Sequence, residues 1–171
     1  ACAFGKELGA KTIIAIDLNQ SRLDRAKQFG ADYVINSSKS SEEIFEDINN
    51  ITNGKGADYV IEVTGDPSAI NLGIKFLRIG GKYLLIGAIY PGNKVTIDSS
   101  DVITKCIQLF GVHNYNHENL KHSIELVLKT RSKYPFKKLV GPKYDLTKEG
   151  VENAFKSLES KESFRPAIIP K

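Results

Sequence analysis

The stretch Thr12-Ile-Ile-Ala-Ile-Asp17 decides the fold class of this 171-residue chain. A short, unbroken apolar run of this kind predicts a strand that is covered on both faces, as strands of parallel sheets are. Residues 21–29 follow with apolar side chains at helical spacing, and Gly30 is placed to end that helix. A second strand is predicted over residues 32–36, so strand and helix alternate from the start.

The same alternation continues to residue 112 and predicts an α/β fold with a doubly wound parallel sheet. The remaining predicted helices and strands are a helix over 1–8 that stops at Gly9, a helix from Ser40 or Ser41 to 51, a strand over 58–63, a helix from Pro67, a strand over 79–87 that starts in a glycine turn, a short segment over 99–105 and a strand over 107–112.

The rhythm changes at residue 113. The elements predicted beyond it are a helix over 117–130, a proline-broken stretch at Tyr134-Pro-Phe, a helix over 147–159 and a last strand over 164–169. These residues are too few and too irregular for an independent domain. We therefore expect one domain over 1–112 and, over 113–171, a C-terminal α/β tail that packs on a domain outside this chain.

Composition excludes several classes of function. The net charge of +4 comes from scattered lysines, which indicates a solvated surface rather than a nucleic-acid site. Cys2 and Cys106 lack the Cys-x-x-Cys spacing of a structural zinc knot or a disulfide framework, so we expect a cytoplasmic protein. No apolar run approaches the roughly 20 residues of a membrane span, and we expect no membrane partner.

Asp17 is the first candidate for a binding residue. It ends a buried apolar strand, which in a doubly wound fold is where an adenosine ribose lies. A carboxylate there accepts hydrogen bonds from both ribose hydroxyls and repels a 2′-phosphate, which favours NAD over NADP. The alternative is that Asp17 is a turn residue or a helix cap, because acids are common after strands.

A glycine-rich turn should accompany such an acid. In doubly wound folds that turn holds the pyrophosphate and lies about 20 residues before the ribose acid. Counting back from Asp17 places it at or before residue 1, and Gly5 and Gly9 do not replace it because no strand precedes them. We therefore expect the chain to lack the first strand of its sheet and the glycine-rich loop.

Several blocks of sequence occur in the order found in one enzyme family. They are Phe4-Gly-Lys-Glu-Leu-Gly-Ala-Lys, Ile16-Asp-Leu-Asn-Gln-Ser-Arg-Leu-Asp-Arg-Ala-Lys, Phe29-Gly-Ala-Asp-Tyr-Val-Ile-Asn, Gly56-Ala-Asp-Tyr-Val-Ile-Glu-Val-Thr-Gly and Arg78-Ile-Gly-Gly-Lys-Tyr-Leu-Leu-Ile-Gly. With these blocks the chain resembles the zinc-dependent medium-chain alcohol dehydrogenases, including sorbitol- and threonine-dehydrogenase-like members. The resemblance implies a Rossmann NAD-binding domain over 1–112 and a segment over 113–171 that returns to a catalytic domain.

The resemblance also implies roles for individual residues. Asp17 would bind the adenosine ribose, with Arg22 beside it near the adenine. The other implied coenzyme-binding residues are Val63, Thr64 and Gly65 at the nicotinamide ribose, Ile86, Gly87 and Ala88 beside the nicotinamide, His113 and Asn114 near the carboxamide, and Arg165 at the pyrophosphate. A solvated arginine before Pro166 is an equally good interpretation of Arg165.

The family's catalytic zinc is implied for the parent enzyme but not for this chain. In the family, zinc is held by cysteine, histidine and an acidic residue, mainly from an amino-terminal domain. His117 and His122 do not substitute for it, because five residues of helix turn them about 500° apart, onto different faces. We expect no catalytic residue and no metal ligand in the chain, and a small alcohol or carbonyl compound as the substrate of the parent.

The apolar strand at Ile107-Gln-Leu-Phe-Gly-Val112 carries few charges to protect a sheet edge. It predicts a homodimer or homotetramer that assembles through this edge, as the resembled family does. Two other classes of function stay open at this point. One is an S-adenosylmethionine-dependent methyltransferase, which also places an acid at a ribose, and the other is a non-catalytic nucleotide-binding module.

Overall fold

The computed structural model describes residues 1–87, 91–92, 94–160 and 165–170, and it confirms an α/β fold with parallel sheets. The helices are α1 (Cys2–Glu7), α2 (Gln20–Gln28), α3 (Ser41–Ile51), α4 (Pro67–Phe76), α5 (Ser99–Thr104), α6 (His117–Thr130) and α7 (Lys148–Glu159), with a 3-10 helix at Phe136–Leu139. The strands are β1 (Ile14–Asp17), β2 (Tyr33–Asn36), β3 (Ala57–Glu62), β4 (Leu77–Leu85), β5 (Gln108–Gly111), β6 (Lys143–Asp145) and β7 (Ala167–Ile169).

Local sequence determines where several helices begin. Ser40 and Glu43 form a reciprocal capping box at the start of α3, which decides between the two predicted cap positions. Asp66 accepts hydrogen bonds from the first backbone N–H groups of α4, and Pro67 occupies the first turn as predicted. Gly30 adopts a φ of +93°, a conformation that a glycine provides without strain after a helix.

All paired strands run parallel. β1 pairs with β2, and β4 lies between β3 and β5. A third, two-stranded sheet consists of β6 and β7. Within the described ranges β1 pairs only with β2, and β3 pairs only with β4. Each of β1 and β3 therefore has one backbone edge without a ladder partner.

β1 and β3 nevertheless share a core. Ile14 and Ile16 from β1 and Val60 from β3 pack on the same cluster of buried side chains, which is Ile35, Ile44, Ile48 and Phe76. A neighbouring cluster lies between α4, β4 and β5 and contains Ile70, Ile74, Leu77, Tyr83 and Ile107. The two clusters bury the inner faces of α3 and α4, as their helical spacing of apolar residues predicts.

The prediction that the first strands are covered on both faces is wrong for this chain. The residues of β1 are only half-buried, and in β3 Tyr59 and Ile61 are 61% and 48% exposed. Val63, directly after β3, is 62% exposed. The physical reason is that apolar composition shows what a strand can bury, whereas burial also requires a neighbour on each face and edge.

Two further strands differ from the prediction. β4 begins at Leu77, ahead of the predicted glycine turn, and ends at Leu85 rather than at residue 87. Gly80, with a φ of +71°, lies inside the strand, and the register against β3 shifts between Ala57 and Tyr59. β6 was not predicted, because three residues with one half-buried side chain carry no readable alternation.

The chain divides into two compact units that are discontinuous in sequence. One contains Ala1–Ile13, Arg25–Asp32 and His117–Lys171, and the other contains Ile14–Asp24 and Tyr33–Asn116. These units are defined by compactness and do not follow the order of the chain. The predicted boundary at residue 112, between a domain over 1–112 and a tail, therefore stays a prediction.

The first unit has its own small core, in which the C-terminal tail packs on residues near the start of the chain. Ala3, Phe29 and Tyr134 form the buried cluster. Glu7 accepts hydrogen bonds from Lys133 Nζ at 2.5 Å and from Tyr134 Oη at 2.8 Å, and these two donors hold the pKa of the Glu7 carboxyl below its ordinary value. The sequence did not indicate this contact, because its partners are about 130 residues apart.

We expect Gly73→Ala to lower the free energy of unfolding by about 1–3 kcal/mol, the usual cost of overpacking a core. A Cβ at Gly73 would overlap the hydroxyl oxygen of Tyr83, which is fully buried and donates to Ile70 O at 3.0 Å. Urea unfolding of the intact protein that contains this chain measures the effect. The penalty should shrink in a Tyr83→Phe background, which removes the nearer of the two overlapped Tyr83 atoms. Unchanged or higher stability of Gly73→Ala would contradict the packing.

No helix in the described part of the chain is long and apolar enough to cross a lipid bilayer.

Candidate functional site

Asp17 is the last residue of β1, and its carboxylate is accessible. Oδ1 accepts a hydrogen bond from Asn19 N at 2.9 Å, and Oδ2 lies 3.7 Å from Arg22 Nη1. The side chain of Asp17 is 30% exposed and that of Arg22 is 47% exposed. The two predicted residues are therefore neighbours, with one carboxylate oxygen facing a cation at the solvent boundary.

The cap of α2 is provided by Asn19 rather than by Asp17. Asn19 Oδ1 accepts from Ser21 N at 2.9 Å and from Arg22 N at 3.3 Å, which satisfies donors of the first helical turn. Asp17 does stabilise the turn through Asn19 N. The helix start does not use Oδ2, which faces Arg22 Nη1 at 3.7 Å.

A tight turn follows β3 and contains the predicted residues Val63, Thr64 and Gly65. Glu62 Oε1 accepts from Thr64 N at 2.5 Å, from Thr64 Oγ1 at 2.6 Å and from Gly65 N at 2.7 Å. Gly65 adopts a φ of +75°, which closes the turn at low cost because it has no Cβ. We call residues 62–65 the Glu62 turn.

Ile86 and Gly87 lie against the Glu62 turn. Ile86 N and Gly87 N donate to Glu62 O at 3.0 and 3.2 Å. A Cβ at Gly87 would overlap Gly65 N, so only glycine lets the end of β4 approach so closely. The structure thus brings five predicted residues together, and Ala88 lies outside the described residues.

His113 and Asn114 follow the next strand of the same sheet. Glu62, Leu85 and Gly111 form one row of paired positions, and Val112 N donates to Leu85 O at 3.0 Å. Because parallel strands end at a common edge, the Glu62 turn, residues 86–87 and residues 112–114 all leave the sheet on the same side. Asn114 has a φ of +58°, and its Nδ2 is 2.9 Å from His113 Nε2.

Arg165 belongs to the other compact unit. Its backbone oxygen accepts from Gly141 N at 2.7 Å, and the residue is exposed. Because Arg165 and the residues above belong to different units, its contact with a pyrophosphate stays a prediction.

Sequence analysis missed Glu62, which is 5% exposed. A charged side chain that ends an otherwise apolar strand was the available signal, because such groups are buried only when hydrogen bonds compensate them. Next to the Glu62 turn, hydrogen bonds from Ser68 and from the backbone of Ser68 and Ala69 lower the pKa of the Asp66 carboxyl.

The candidate site combines one side-chain acid with backbone turns at the ends of neighbouring strands. It offers an accessible carboxylate at one strand end, and exposed backbone turns at the ends of three others. Among the described residues there is no group of three or more His, Cys, Asp or Glu side chains that could hold a metal ion.

The family comparison matches residues 1–129 to the zinc-binding dehydrogenases. Over 108 residues the chain is 39% identical to the L-threonine 3-dehydrogenase of Symbiobacterium thermophilum, covering 63% of this chain and 30% of that protein. It is 33% identical over 115 residues to the sorbitol dehydrogenase of Bacillus subtilis, covering 67% and 32%. The chain thus spans about a third of the curated relatives it matches.

Solved structures extend the likeness over the full chain. An alcohol dehydrogenase from Thermotoga maritima superposes with a TM-score of 0.92 at 27% identity, covering 99% of this chain and 46% of that one. Benzyl alcohol dehydrogenase from Acinetobacter calcoaceticus gives 0.86 at 31% identity, covering 100% and 46%. Together with the α/β fold and the row of strand ends described above, these matches show that the chain belongs to the zinc-binding dehydrogenase family.

Proposed function

We propose that this chain is the NAD(H)-binding part of an alcohol-dehydrogenase-type oxidoreductase that transfers hydride between an alcohol and a nicotinamide. The observation that carries the proposal is the carboxylate of Asp17, 30% exposed at the end of β1, with Oδ2 facing Arg22 and not used by the helix start. Family membership supports it. Zinc and the catalytic residues would come from parts of the enzyme that are not in this chain, as would the glycine-rich loop.

The proposed coenzyme contacts follow from the exposed groups. The Asp17 carboxylate would accept hydrogen bonds from the adenosine ribose hydroxyls, and Arg22 would lie near the adenine. The Glu62 turn and residues 86–87 would border the nicotinamide ribose and ring, with Ala88, His113 and Asn114 beyond them. When bound, NAD supplies the hydride-accepting ring, and the chain's own part is to bind and orient it.

The Asp17 site favours NAD over NADP. A 2′-phosphate at the ribose would place its negative charge next to the carboxylate, and like charges at contact distance are unfavourable. Arg22 Nη1 lies 3.7 Å from Asp17 Oδ2. The residues after Arg22 are Leu23 and Asp24, so no basic pair is present there to bind a 2′-phosphate.

Thermal stabilisation tests this function. We expect NADH to raise the melting temperature of the intact protein, and a concentration 100-fold above Kd should add about 2.7 kcal/mol to its stability. S-adenosylmethionine at the same concentration should have no effect. Stabilisation by S-adenosylmethionine alone would favour the methyltransferase alternative, which the similarity to dehydrogenases does not support.

We propose a homodimer or homotetramer built through residues 107–112. All four residues of β5 are exposed, and this strand pairs only with β4 in the described part of the chain. Unpaired strand edges of this kind pair readily with a second copy. A soluble small-molecule substrate, a cytoplasmic location and the domain boundary at residue 112 belong to the same proposal.

Phe110→Lys should convert the intact protein to a monomer, because it places a charge in the proposed interface. Sedimentation velocity at micromolar concentration measures this. Phe45→Lys is the matched control: Phe45 on α3 is 42% exposed and Phe110 is 43% exposed, so only the site differs. A wild-type protein that sediments as a monomer would contradict the interface, as would a Phe110→Lys variant that stays oligomeric.

A further inference from the structure

Glu62 is a buried acid whose position calls for an explanation. It ends β3 and is 5% exposed. Burial, together with the nearby Glu62 carboxylate, raises the pKa of Tyr83 above its ordinary value, so the acid lies close to the fully buried part of the core. A buried carboxylate is costly unless hydrogen bonds compensate it, and a residue kept at that cost is a candidate for a role other than stability.

The two carboxylate oxygens of Glu62 differ in their hydrogen bonding. Oε1 accepts three hydrogen bonds, all from Thr64 and Gly65. Oε2 is buried without a hydrogen-bond partner among the described residues. A side chain selected only to stabilise the core would not leave one oxygen unsatisfied, since a buried acceptor without a partner costs free energy. Instead, all three hydrogen bonds that Oε1 accepts hold one turn in place.

The three hydrogen bonds determine which way the turn presents its backbone. All peptide bonds of the described residues are trans, so each N–H and the C=O of the same peptide unit point in opposite directions. Thr64 N–H and Gly65 N–H point at Glu62. The carbonyl groups of Val63 and Thr64 must therefore point away from the buried acid, and Val63 itself is 62% exposed. Glu62 thus orients two acceptors away from the core.

We propose that Glu62 is a positioning residue for the nicotinamide end of the coenzyme, acting through the Glu62 turn and touching no ligand itself. The inference rests on the proposed function, because it assigns a coenzyme to this edge of the sheet. It predicts that changes at Glu62 weaken contacts to the nicotinamide half and spare the adenosine half, which Asp17 binds at the end of a different strand.

Two ligands and three variants of the intact enzyme test this. Dissociation constants are measured by calorimetry for NADH and for AMP, which carries only the adenosine half. Glu62→Ala should raise the Kd for NADH about tenfold or more, the usual effect of losing charge-assisted hydrogen bonds, and leave the Kd for AMP within about twofold. Glu62→Gln keeps an acceptor for the turn, so its Kd for NADH should stay within about threefold of the wild type.

Glu62→Asp provides a second test in case the Glu62→Ala variant does not fold. It keeps the charge but is one methylene shorter, so it cannot reach all three donors, and we expect an NADH affinity between those of the Gln and Ala variants. Equal losses of NADH and AMP affinity, or unchanged NADH affinity in Glu62→Ala and Glu62→Asp, would overturn the role of Glu62 and leave the proposed function standing. A wild-type protein that binds AMP but not NADH, or neither, would overturn the proposed function and this role with it.

Discussion

Asp17→Ser should shift the coenzyme preference of the intact enzyme toward NADP. The substitution removes the carboxylate that would accept from the ribose hydroxyls and repel a 2′-phosphate. We expect the discrimination between NAD and NADP to fall by about 1–3 kcal/mol, the range of a charge-assisted hydrogen bond in a partly buried site. Arg22, which lies 3.7 Å from Asp17 Oδ2, would then be free to face the phosphate.

Steady-state kinetics with both coenzymes measure the change as a ratio of kcat/KM values. Asp24→Ser is the control, because Asp24 is an exposed acid on α2, the helix that follows Asp17. The carboxylate of Asp24 accepts a hydrogen bond from Gln20. That variant should leave the preference unchanged. An unmodified enzyme that already prefers NADPH would show that Asp17 does not face the ribose.

The 171-residue chain expressed alone should fail to form a stable, coenzyme-binding protein. β1 and β3 each have an edge without a ladder partner in the described part of the chain, and they share one core. In the doubly wound strand order a central strand lies between strands in these two positions. In the isolated chain these edges and apolar side chains such as Tyr59 and Ile61 are left to water, and exposed strand edges with apolar neighbours favour aggregation.

Thermal melts of the isolated chain and of the longer protein that contains it, followed by near-ultraviolet circular dichroism, test this expectation. The longer protein should melt cooperatively, and the isolated chain should aggregate or show no cooperative transition. A sharp melt of the isolated chain together with NADH binding in the micromolar range would show that its two open edges are tolerated.

Local features of the fold could be predicted because their causes are local. The capping box at Ser40, the proline at the first turn of α4 and the stop at Gly30 each act within four residues. The alternation of apolar runs and helical spacing was sufficient for the α/β class and the parallel sheets. The family resemblance implied that Arg22 lies beside Asp17, and the 3.7 Å distance between Arg22 Nη1 and Asp17 Oδ2 agrees with this.

Features that depend on distant neighbours could not be predicted. The approach of Gly87 to Gly65 joins residues 22 positions apart, and no local pattern indicates it. The burial of β3 was overestimated, since apolar residues such as Tyr59 need a covering neighbour as well as the right composition. The contact between Glu7 and Tyr134 joins residues 127 apart in the sequence and has no local signature.

The sequence by itself determined the class of fold, the family and the candidate site residues, because hydrophobic periodicity, caps and short motifs are written in consecutive residues. Only the tertiary structure decided which of those residues meet, that β1 and β3 each have one edge without a ladder partner among the described residues, and that the carboxylate of Glu62 is buried where it accepts hydrogen bonds from the turn that follows it. Hydrogen bonds and packing between strands depend on register and distance, and these quantities exist only once the chain is folded.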